Sequence, residues 1–319
     1  MTATAVAGRP GKRQGLLSVR PLRDMRPLAD LMEAAFGHEL DAEGRRLIRE
    51  MRSFGGAGLL GWLVGRFVLP PAAYPKGYVW YEAGRLVGNA SVLPVEAGSP
   101  RWVLANVAVR PEFRRRGIAR GMVQACLELA QNRGGQEMIL QVESDNEAAI
   151  RLYHDLGFQP LTERTTYRRR SGTPAPEDPD LGRARAQVPE DWHEQFRLAR
   201  AEHPEGLVWP MPLRADLFRG AGWMGPRAGR NWVWFEGEDL RGSLTARPDW
   251  DREAWRFVLV AAGSGRGHVE RGLILVALAY LGGETNVVID YPTGVAVGDL
   301  EALGFRAERT LTWMGKSLA

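Results

Sequence analysis

An internal repeat is the feature that most restricts the folds open to this chain of 319 residues. Residues 79–88, VWYEAGRLVG, align without a gap with residues 233–242, VWFEGEDLRG, and the triplet Leu-Gly-Phe occurs at both 156–158 and 303–305. Self-similarity of this kind indicates that one supersecondary pattern forms twice. We therefore predict a duplicated domain, which agrees with a chain longer than one usual domain.

The segment between the two copies marks their boundary. Residues 171–182, SGTPAPEDPDLG, are rich in Pro, Gly and Asp, a composition typical of linkers. The predicted organisation is a mobile tail over 1–15, a catalytic domain over 16–170, a linker over 171–184 and a degenerate copy over 185–319.

The pattern of apolar residues in the first copy predicts a mixed α/β fold. Its earlier strands are expected to be antiparallel and its central pair parallel. The expected elements are a strand at 16–20, a helix at 25–36 capped by Asp24, a helix at 42–54, a hairpin turning at 83–85 and a central strand at 102–109.

The stretch from Asn106 to Arg120, NVAVRPEFRRRGIAR, has the pattern of a strand, a turn and a helix start. Pro111 cannot donate to a sheet ladder and restrains Arg110 to extended geometry, so the strand is expected to end there. Apolar side chains then recur on one helical face, at Ile118, Met122, Ala125, Cys126 and Leu129. The turn therefore lies at a helix N-terminus.

This helix start is suited to hold an anion. The first backbone N–H groups of a helix have no internal partner and form the positive end of its dipole. Gly117 and Ala119 place no bulky side chain before them. Positive charge is added by Arg114, Arg115, Arg116 and Arg120. A solvated basic turn would explain the arginines alone, but their place between a strand and small residues favours a diphosphate site.

A second constellation follows further along the chain. Residues 138–142 have the composition of a buried strand, and Ser144-x-x-Glu147 has the spacing of a capping box that opens a helix. Asn146 and Tyr153 are seven residues apart, close to two helical turns, so we expect them to share a face. Gly157 is expected to end this helix.

Together these motifs resemble the GNAT superfamily of acyl-CoA-dependent N-acyltransferases. The resemblance rests on Arg114-x-x-Gly117-x-Ala119 and on Asn146-x-x-Ala149-x-x-Leu152-Tyr153-x-x-x-Gly157-Phe158. It implies an α/β fold of the α+β mixed-sheet kind, with two tandem GNAT-type domains of which the second is degenerate. The motifs in residues 106–158 are most similar to those of ribosomal-protein N-terminal alanine acetyltransferases.

The resemblance also implies a substrate pair and a set of site residues. Acetyl-CoA would be the acyl donor, with its pantetheine arm on the central strand and its diphosphate on the turn. The acceptor would be a primary amine of a small molecule or peptide, and Tyr153 would be the general acid that protonates the leaving thiolate. The implied cofactor-binding residues are Val107, Ala108, Val109, Arg114, Arg115, Arg116, Gly117, Ile118, Ala119, Arg120 and Asn146.

The general base and the acceptor are left open by the sequence. Gln141 stands where the alanine acetyltransferases carry a catalytic Glu, and a Gln cannot accept the proton. Glu143, Glu96 and a water relay are the alternatives. In this fold the acceptor contacts the segment 36–78, whose aromatic residues at 54, 62, 67 and 74 suit either an apolar amine or packing against the second copy.

The second copy departs from the first at the site. Aligning the tryptophans at 102 and 255 places residues 261–262 at the positions of 108–109, and the following turn, GSGRG, lacks the phasing of arginine and glycine. Leu300 takes the place of Tyr153, and Thr293 that of Asn146. We expect the second copy to have lost catalysis.

Charge limits the partners. Residues 1–170 hold 25 Lys and Arg against 17 Asp and Glu, whereas the remainder holds 17 against 21. An anionic donor explains the basic half. A nucleic-acid-binding module is disfavoured because no stacking aromatics are interleaved with the arginines. A non-catalytic acyl-CoA sensor is disfavoured by Tyr153. The oligomeric state is not indicated.

No metal, membrane or secretory feature is expected. The five His residues have no metal-ligand spacing, and Cys126, which has no partner for a disulfide, is expected to be a packed thiol. The N-terminus lacks the apolar core of a secretory signal. The apolar run at 59–69 is interrupted and too short to span a bilayer. A cytoplasmic protein is the expectation.

Overall fold

The computed structural model has a mixed α/β fold, as the apolar pattern predicts. It describes residues 13–37, 45, 48–53, 76–96, 98–174, 183–203, 206–209, 211–219, 229–248, 254–263, 267–282 and 285–319. The chain divides into two compact units. Unit 1 comprises Met1–Leu140, Arg151–Gln159 and Gly315–Ala319, and unit 2 comprises Gln141–Ile150 and Pro160–Met314.

Unit 1 is a mixed sheet with helices packed on it. Its strands are β1 (Gly15–Ser18), β2 (Gly77–Glu82), β3 (Arg85–Pro94), β4 (Arg101–Val109) and the first part of β5 (Glu137–Glu143). Its helices are α1 (Pro21–Phe36), α2 (Ile118–Gln131) and the last part of α3 (Glu147–Asp155). Strands β1 to β4 pair antiparallel, and β4 pairs with β5 in parallel. The predicted hairpin and parallel central pair are confirmed.

The strands of unit 2 follow the order β14-β6-β13-β12-β11-β10-β7, and β8 and β9 form a separate hairpin. Strands β12 and β13 are parallel. The strands are β6 (Gln159–Arg169), β7 (Ala184–Ala186), β8 (Leu207–Val208), β9 (Met211–Pro212), β10 (Arg230–Glu236), β11 (Asp239–Pro248), β12 (Trp255–Ala261), β13 (Val287–Pro292) and β14 (Arg306–Ser317). The helices are α4 (Trp192–Glu202), α5 (His268–Leu281) and α6 (Val297–Ala302).

The two copies form the same hairpin with the same irregularity. Strands β2 and β3 are joined by the two residues Ala83 and Gly84, both at positive φ, and β10 and β11 by a turn with Gly237 at φ 63°. The register shifts between residues 80 and 81 in the first hairpin and between 234 and 235 in the second. These positions correspond in the sequence repeat, so the duplication extends to details of the backbone.

A glycine in each hairpin lets the following helix pack directly on the sheet. A Cβ on Gly88 would lie 2.9 Å from Met122 Cε and 3.1 Å from Ile118 Cγ2. A Cβ on Gly242 would overlap Val269, the corresponding residue of α5. Larger residues at these two positions would therefore push α2 and α5 off the strands.

The face that α2 buries largely matches the predicted one. Cys126 is fully buried, with its Sγ 3.6 Å from the carbonyl oxygen of Ala90. Burial raises the pKa of its thiol to about 12, which confirms a packed thiol. Leu127 is buried where the periodicity predicted Leu129, which is only half-buried.

Helix α1 begins one turn earlier than predicted. Pro21 occupies its first turn, where a residue without an N–H costs no helical hydrogen bond. Asp24 is therefore inside the helix rather than its N-cap. Its fully buried carboxylate accepts from the backbone N of Arg20 (2.7 Å) and from the hydroxyl of Tyr81 (2.9 Å), and it pairs with Arg13.

The chain is held before residue 16, where the sequence predicts a tail. The carbonyl oxygen of Arg13 accepts from Gly84 N (3.0 Å), and Gln14 Oε1 accepts from Ala83 N (2.8 Å). Strand β1 starts at Gly15. Residues 1–12 lie outside the described part. Of the helix predicted at 42–54, residues 45 and 48–53 are helical, and the others lie outside the described part as well.

The capping box predicted for α3 is wrong. Ser144 Oγ lies 3.1 Å from Thr312 Oγ1, and Asn146 Oδ1 instead accepts from Ala149 N (3.1 Å) at the helix start. The predicted end is confirmed, because Gly157 is at φ 88° and Phe158 N donates back to the Tyr153 carbonyl oxygen (3.0 Å).

Strand β6, which the sequence assigns to the first domain, has its partner in unit 2. It pairs antiparallel with β13, from Arg164 opposite Pro292 to Arg169 opposite Val287. The predicted domain bounds place β6 before the linker but do not specify its neighbour. The domain boundaries at residues 170 and 185 stay predictions.

Candidate functional site

The central strand of unit 1 contains a β-bulge. Asn106 and Val107 of β4 together face the single residue Ala90 of β3, whereas the pairs on either side match one to one. Asn106 is at φ 53°, a left-handed conformation that few non-glycine residues adopt. A bulge bends its strand and re-aims the backbone groups that follow it.

Beyond its first residues, β4 is no longer paired with β5. The parallel register runs from Arg101 opposite Glu137 to Val103 opposite Ile139 and ends there. Residues 107–109 follow the bulge, beyond this paired stretch. Their backbone is therefore placed to pair with an extended chain that is not part of the sheet.

The turn after β4 ends in an open helix N-terminus, as predicted. After a turn of 3₁₀ helix at Pro111–Phe113, Arg115 adopts φ 65°, and Gly117, at φ 76°, is the N-cap of α2. The first bond within the helix runs from Gly121 N to Gly117 O (3.0 Å), so the N–H groups of 118–120 precede it. Among the described residues, no heavy atom lies within 4 Å of the place a Cβ would take on Gly117.

Contacts within unit 1 hold three of the four arginines of the turn. Arg114 Nε donates to the carbonyl oxygen at the end of β4 (3.1 Å), Arg116 Nη1 lies 3.6 Å from a carboxylate of β2, and Arg120 Nη2 donates to Asp155 Oδ2 (2.7 Å). In the described part of the chain, Arg115 makes no ion pair. Exposed ion pairs contribute little, so these guanidinium groups can turn to a phosphate at small cost.

Tyr153 is the buried polar side chain of α3. It is 6% exposed and packs edge-on against Phe158, with the ring centroids 5.8 Å apart. Burial raises the pKa of its hydroxyl well above the ordinary value. The phenol therefore keeps its proton at neutral pH, which is the form that a general acid requires.

Asn146 does not share the environment of Tyr153. It is exposed, and its carboxamide oxygen is engaged in capping α3. Gln141, Glu143 and Glu96 are all half-buried, and the two glutamates have polar partners, so burial does not single out a general base. The aromatic residues of the expected acceptor segment lie at 54–74, outside the described part.

The corresponding strand of unit 2 has no bulge. Residues 242–248 of β11 pair one to one with residues 255–261 of β12. Ala261 lies opposite Gly242, just as Val109 lies opposite Gly88. The alignment that placed residue 261 at position 108 is therefore wrong by one residue, because β12 lacks the extra residue of the bulge.

The helix start that follows in unit 2 is filled by a carboxylate of the chain itself. Glu270 is fully buried. Its Oε2 accepts from Gly267 N (2.6 Å) and its Oε1 from the Tyr291 hydroxyl (2.8 Å). This is a capping arrangement, and it occupies the end of α5 where an external anion would bind.

The place of Tyr153 in unit 2 belongs to Leu300. Leu300 is fully buried, and its carbonyl oxygen accepts from Phe305 N (2.9 Å), the bond that Tyr153 accepts from Phe158. Unit 2 therefore keeps the helix end of unit 1 but has no proton donor at this position.

Two features of the site do not appear among the predicted residues. Asn89, on β3, is buried and bonded to the bulge; the sequence signal is an amide in an otherwise apolar strand. Glu270 stands three residues after Gly267, which is the spacing of a capping box.

Among the described residues, no helix is long and apolar enough to cross a membrane, and no cluster of three or more His, Cys, Asp or Glu could hold a metal.

Comparison with known proteins agrees with this geometry. A model of the Acetyltransferase (GNAT) family matches residues 46–158. The N-alpha-acetyltransferase RimI of Mycobacterium tuberculosis is 35% identical over 121 residues, which span 35% of this chain and 75% of that protein. The chain belongs to the GNAT acetyltransferase family. Enzymes of the GNAT family use acetyl-CoA as the acyl donor.

Other GNAT relatives match over shorter stretches. The [ribosomal protein bS18]-alanine N-acetyltransferase of Salmonella typhimurium is 41% identical over 64 residues, which are 20% of this chain and 43% of that protein. The N-alpha-acetyltransferase 30 of Schizosaccharomyces pombe is 47% identical over 58 residues, which are 18% of this chain and 39% of that protein. The chain thus spans about two fifths of the length of these two relatives.

Solved structures extend the GNAT fold to most of the chain. A GCN5-related N-acetyltransferase from Sphaerobacter thermophilus superposes with a TM-score of 0.62 at 16% identity, over 95% of both chains. A tandem GNAT protein from the clavulanic acid biosynthesis pathway superposes with a TM-score of 0.50 at 15% identity, over 95% of this chain and 98% of that one. The prediction of two tandem GNAT-type domains is confirmed as a fold.

Proposed function

We propose that this chain is an acetyl-CoA-dependent N-acetyltransferase whose active site lies in unit 1. One observation carries the proposal: the bulged end of β4 leads through one short turn into the open N-terminus of α2. An acyl-CoA needs such a continuous path, since its pantetheine arm can pair with strand backbone and its diphosphate needs unpaired N–H groups. Unit 2 has neither the bulge nor the open helix start.

The donor would be held mainly by backbone. Val107, Ala108 and Val109 would pair with the pantetheine amides. The diphosphate would accept from N–H groups between residues 115 and 120, with Ile118 and Ala119 at the first turn of the helix. Gly117 leaves this space open, and the arginines at 114, 115, 116 and 120 would supply charge.

The reaction would be direct attack of a neutral amine on the thioester carbonyl carbon. The C–N bond forms and the carbonyl oxygen becomes an oxyanion, which a backbone N–H near Val107 can stabilise. Collapse breaks the C–S bond, and the thiolate takes the proton of the Tyr153 hydroxyl. The amine gives up one proton to a base that the described residues do not single out.

We propose an amino-terminal α-amino group of a peptide or protein as the acceptor, with a small-molecule primary amine as the alternative. Relatives named as an N-alpha-acetyltransferase and as a ribosomal protein alanine N-acetyltransferase support the former. Gln141 counts against this choice, because the resemblance to alanine acetyltransferases implies a catalytic Glu at this position.

Calorimetric titration of acetyl-CoA tests the donor site. Wild type should bind, and the double variant Arg116→Glu/Gly117→Trp should not, because a Trp at residue 117 covers the helix N–H groups. Gly134→Trp is the matched control: this glycine, at φ 79° with no heavy atom of the described residues within 4 Å of its Cβ position, lies past the other end of α2. Absence of binding by wild type would refute the proposal.

A screen of amines then tests the acceptor. Release of free CoA would be followed with peptides that begin with Ala or Ser, with the same peptides blocked at the N-terminus, and with small primary amines. Turnover restricted to free peptide N-termini would support the proposed acceptor, and turnover restricted to small amines would replace it.

A further inference from the structure

Asn89 stands out as a fully buried amide directly beside the bulge. It is 1% exposed and lies in the middle of β3. Its Nδ2 donates to the carbonyl oxygen of Asn106 (2.8 Å) and lies 3.2 Å from Ser91 Oγ. Its Oδ1 is buried and has no partner among the described residues. Stability alone does not explain this amide, since burial of an unsatisfied oxygen is costly.

The orientation of the Asn89 amide is fixed by its partner. A backbone carbonyl can only accept, so the nitrogen of the carboxamide must face Asn106. Asn106 is the residue at φ 53° where the ladder of β3 and β4 is interrupted. A side chain from the neighbouring strand therefore supplies the hydrogen bond that the disrupted ladder does not.

The same side chain is next to the proposed donor strand. Asn89 lies opposite Ala108 in the register, and Val107 to Val109 follow directly after the carbonyl that it holds. A change in the direction of the Asn106 carbonyl would also turn the Val107 N–H, because one peptide plane contains both groups.

The second copy of the fold provides a natural comparison. Ser243 of β11 takes the place of Asn89, and its Oγ accepts from Gln195 Nε2 (2.7 Å) rather than binding the next strand. Strand β12 beside it is regular. Within this one chain, the amide and the bulge are thus present together in unit 1 and absent together from unit 2.

We propose that Asn89 is a positioning residue for acyl transfer: its amide N–H holds the Asn106 carbonyl and so keeps the bulged segment of β4 aimed at the pantetheine arm. The proposal rests on the proposed function and names a residue that acts through the strand, not on the reacting atoms. It predicts that loss of the amide weakens binding of the pantetheine arm and slows transfer, but leaves the diphosphate site intact.

The test uses two ligands and three variants of the full chain. ADP probes the diphosphate site alone, and CoA probes this site together with the pantetheine arm. Asn89→Asp keeps the shape and removes the N–H donor, and Asn89→Ser introduces the residue of unit 2. Ser91→Ala is the control, because it removes the other contact of the amide and leaves its bond to Asn106 O.

In both Asn89 variants, CoA affinity should fall at least about 10-fold relative to ADP affinity. ADP affinity itself should change less than about twofold. Their kcat with the best amine should fall about 10- to 100-fold, since misplacement of a reacting group by about an ångström has effects of this size. Ser91→Ala should match wild type in both measurements.

The outcomes separate this inference from the function beneath it. An unchanged CoA to ADP ratio in both Asn89 variants, with normal wild-type binding, would overturn the role of Asn89 only. Equal losses for ADP and CoA, or unfolding of both variants in a thermal melt, would assign Asn89 a structural role and overturn it too. Failure of wild type to bind CoA would overturn the proposed function itself.

Discussion

The central strands of the two units, β4 and β12, pair with equivalent hairpins, but their paired stretches differ in length by one residue. Seven residues of β3, 88–94, lie opposite the eight residues 102–109 of β4, whereas seven residues of β11, 242–248, lie opposite the seven residues 255–261 of β12. The extra residue is the bulge at Asn106. The hairpins themselves, with their shared register shifts, are unaltered.

The helix starts that follow differ in a second way. Gly117 and Ala119 leave the N-terminus of α2 open, while the buried Glu270 caps α5 from within. The scaffold is common to both copies, so the proposed donor site of unit 1, and the proposed lack of one in unit 2, rest on these two differences. Function in a duplicated fold can thus depend on a few backbone positions rather than on a catalytic residue alone.

The largest effect should come from giving unit 1 the residue that unit 2 has at the end of α3. Tyr153→Leu copies Leu300, and Tyr153→Phe removes only the hydroxyl. We expect both to lower kcat by about 100- to 10,000-fold, because a positioned general acid contributes this much. Acetyl-CoA affinity, measured by calorimetry, should be unchanged in the Phe variant, which keeps the packing against Phe158.

Wild-type kcat in Tyr153→Phe would contradict this role. The pH profile offers an independent check. Burial raises the pKa of Tyr153, so its hydroxyl stays protonated at a higher pH than that of an ordinary tyrosine. Up to about pH 10, the wild-type rate should therefore not fall through ionisation of residue 153.

A carboxylate at the start of α2 should have the next largest effect. Arg120 stands three residues after Gly117, as Glu270 stands three residues after Gly267. Arg120→Glu would cap the helix from within and repel the diphosphate, which we expect to weaken acetyl-CoA binding about 100-fold.

Arg120→Gln is the matched control, since it loses the charge and the exposed pair with Asp155 but cannot present an anion. It should weaken binding by less than about 10-fold. Equal affinities of the two variants in the same titration would show that the helix N-terminus is not the diphosphate site.

Opening the cap of unit 2 should cost stability without creating a donor site. Glu270→Ala removes a buried carboxylate that accepts from the Tyr291 hydroxyl and from a helix N–H, and we expect a loss of about 1–3 kcal/mol of unfolding free energy. Glu301→Ala, an exposed position on α6, should lose much less. Calorimetry should still give one acetyl-CoA per chain in the Glu270 variant, because β12 lacks the bulge. Two bound molecules would break the comparison.

The smallest effect is expected at a core position that the two copies fill differently. Ala277 of α5 corresponds to Cys126 of α2, and both are fully buried. Cys126→Ala should change stability by less than about 1.5 kcal/mol and leave kcat unchanged. With its pKa at about 12, the thiol of the folded wild type should resist alkylation at pH 8. Rapid alkylation or loss of activity would contradict the packed role.

The sequence predicts those parts of the fold that depend on local signals. Gly117 and Gly157 mark the start of α2 and the end of α3, and both lie at the positive φ that glycine permits. The repeat itself predicts the second hairpin. The sequence wrongly predicts Asp24 as the N-cap of α1. Its carboxylate does accept from the backbone N–H of Arg20, before the helix, but Asp24 itself lies inside the helix.

The parts that were missed depend on partners distant in the sequence. The bulge at Asn106 has no signal in the sequence of β4, since an extra residue is visible only against the register of β3. Asn89 therefore gives no signal beyond its own polarity. The neighbour of β6 is more than a hundred residues away, and an apolar pattern does not specify which strand will pair with it.

The pairing of β6 with β13 also bears on how such a gene can be cut or shuffled. A fragment that ended in the linker would encode β6 without β13 and would expose an unpaired strand edge, a template for aggregation. The proline-rich segment is therefore not a position at which the chain can be cut with the pairing of β6 intact. For expression, fusion or recombination, the two copies therefore have to be kept together in one chain.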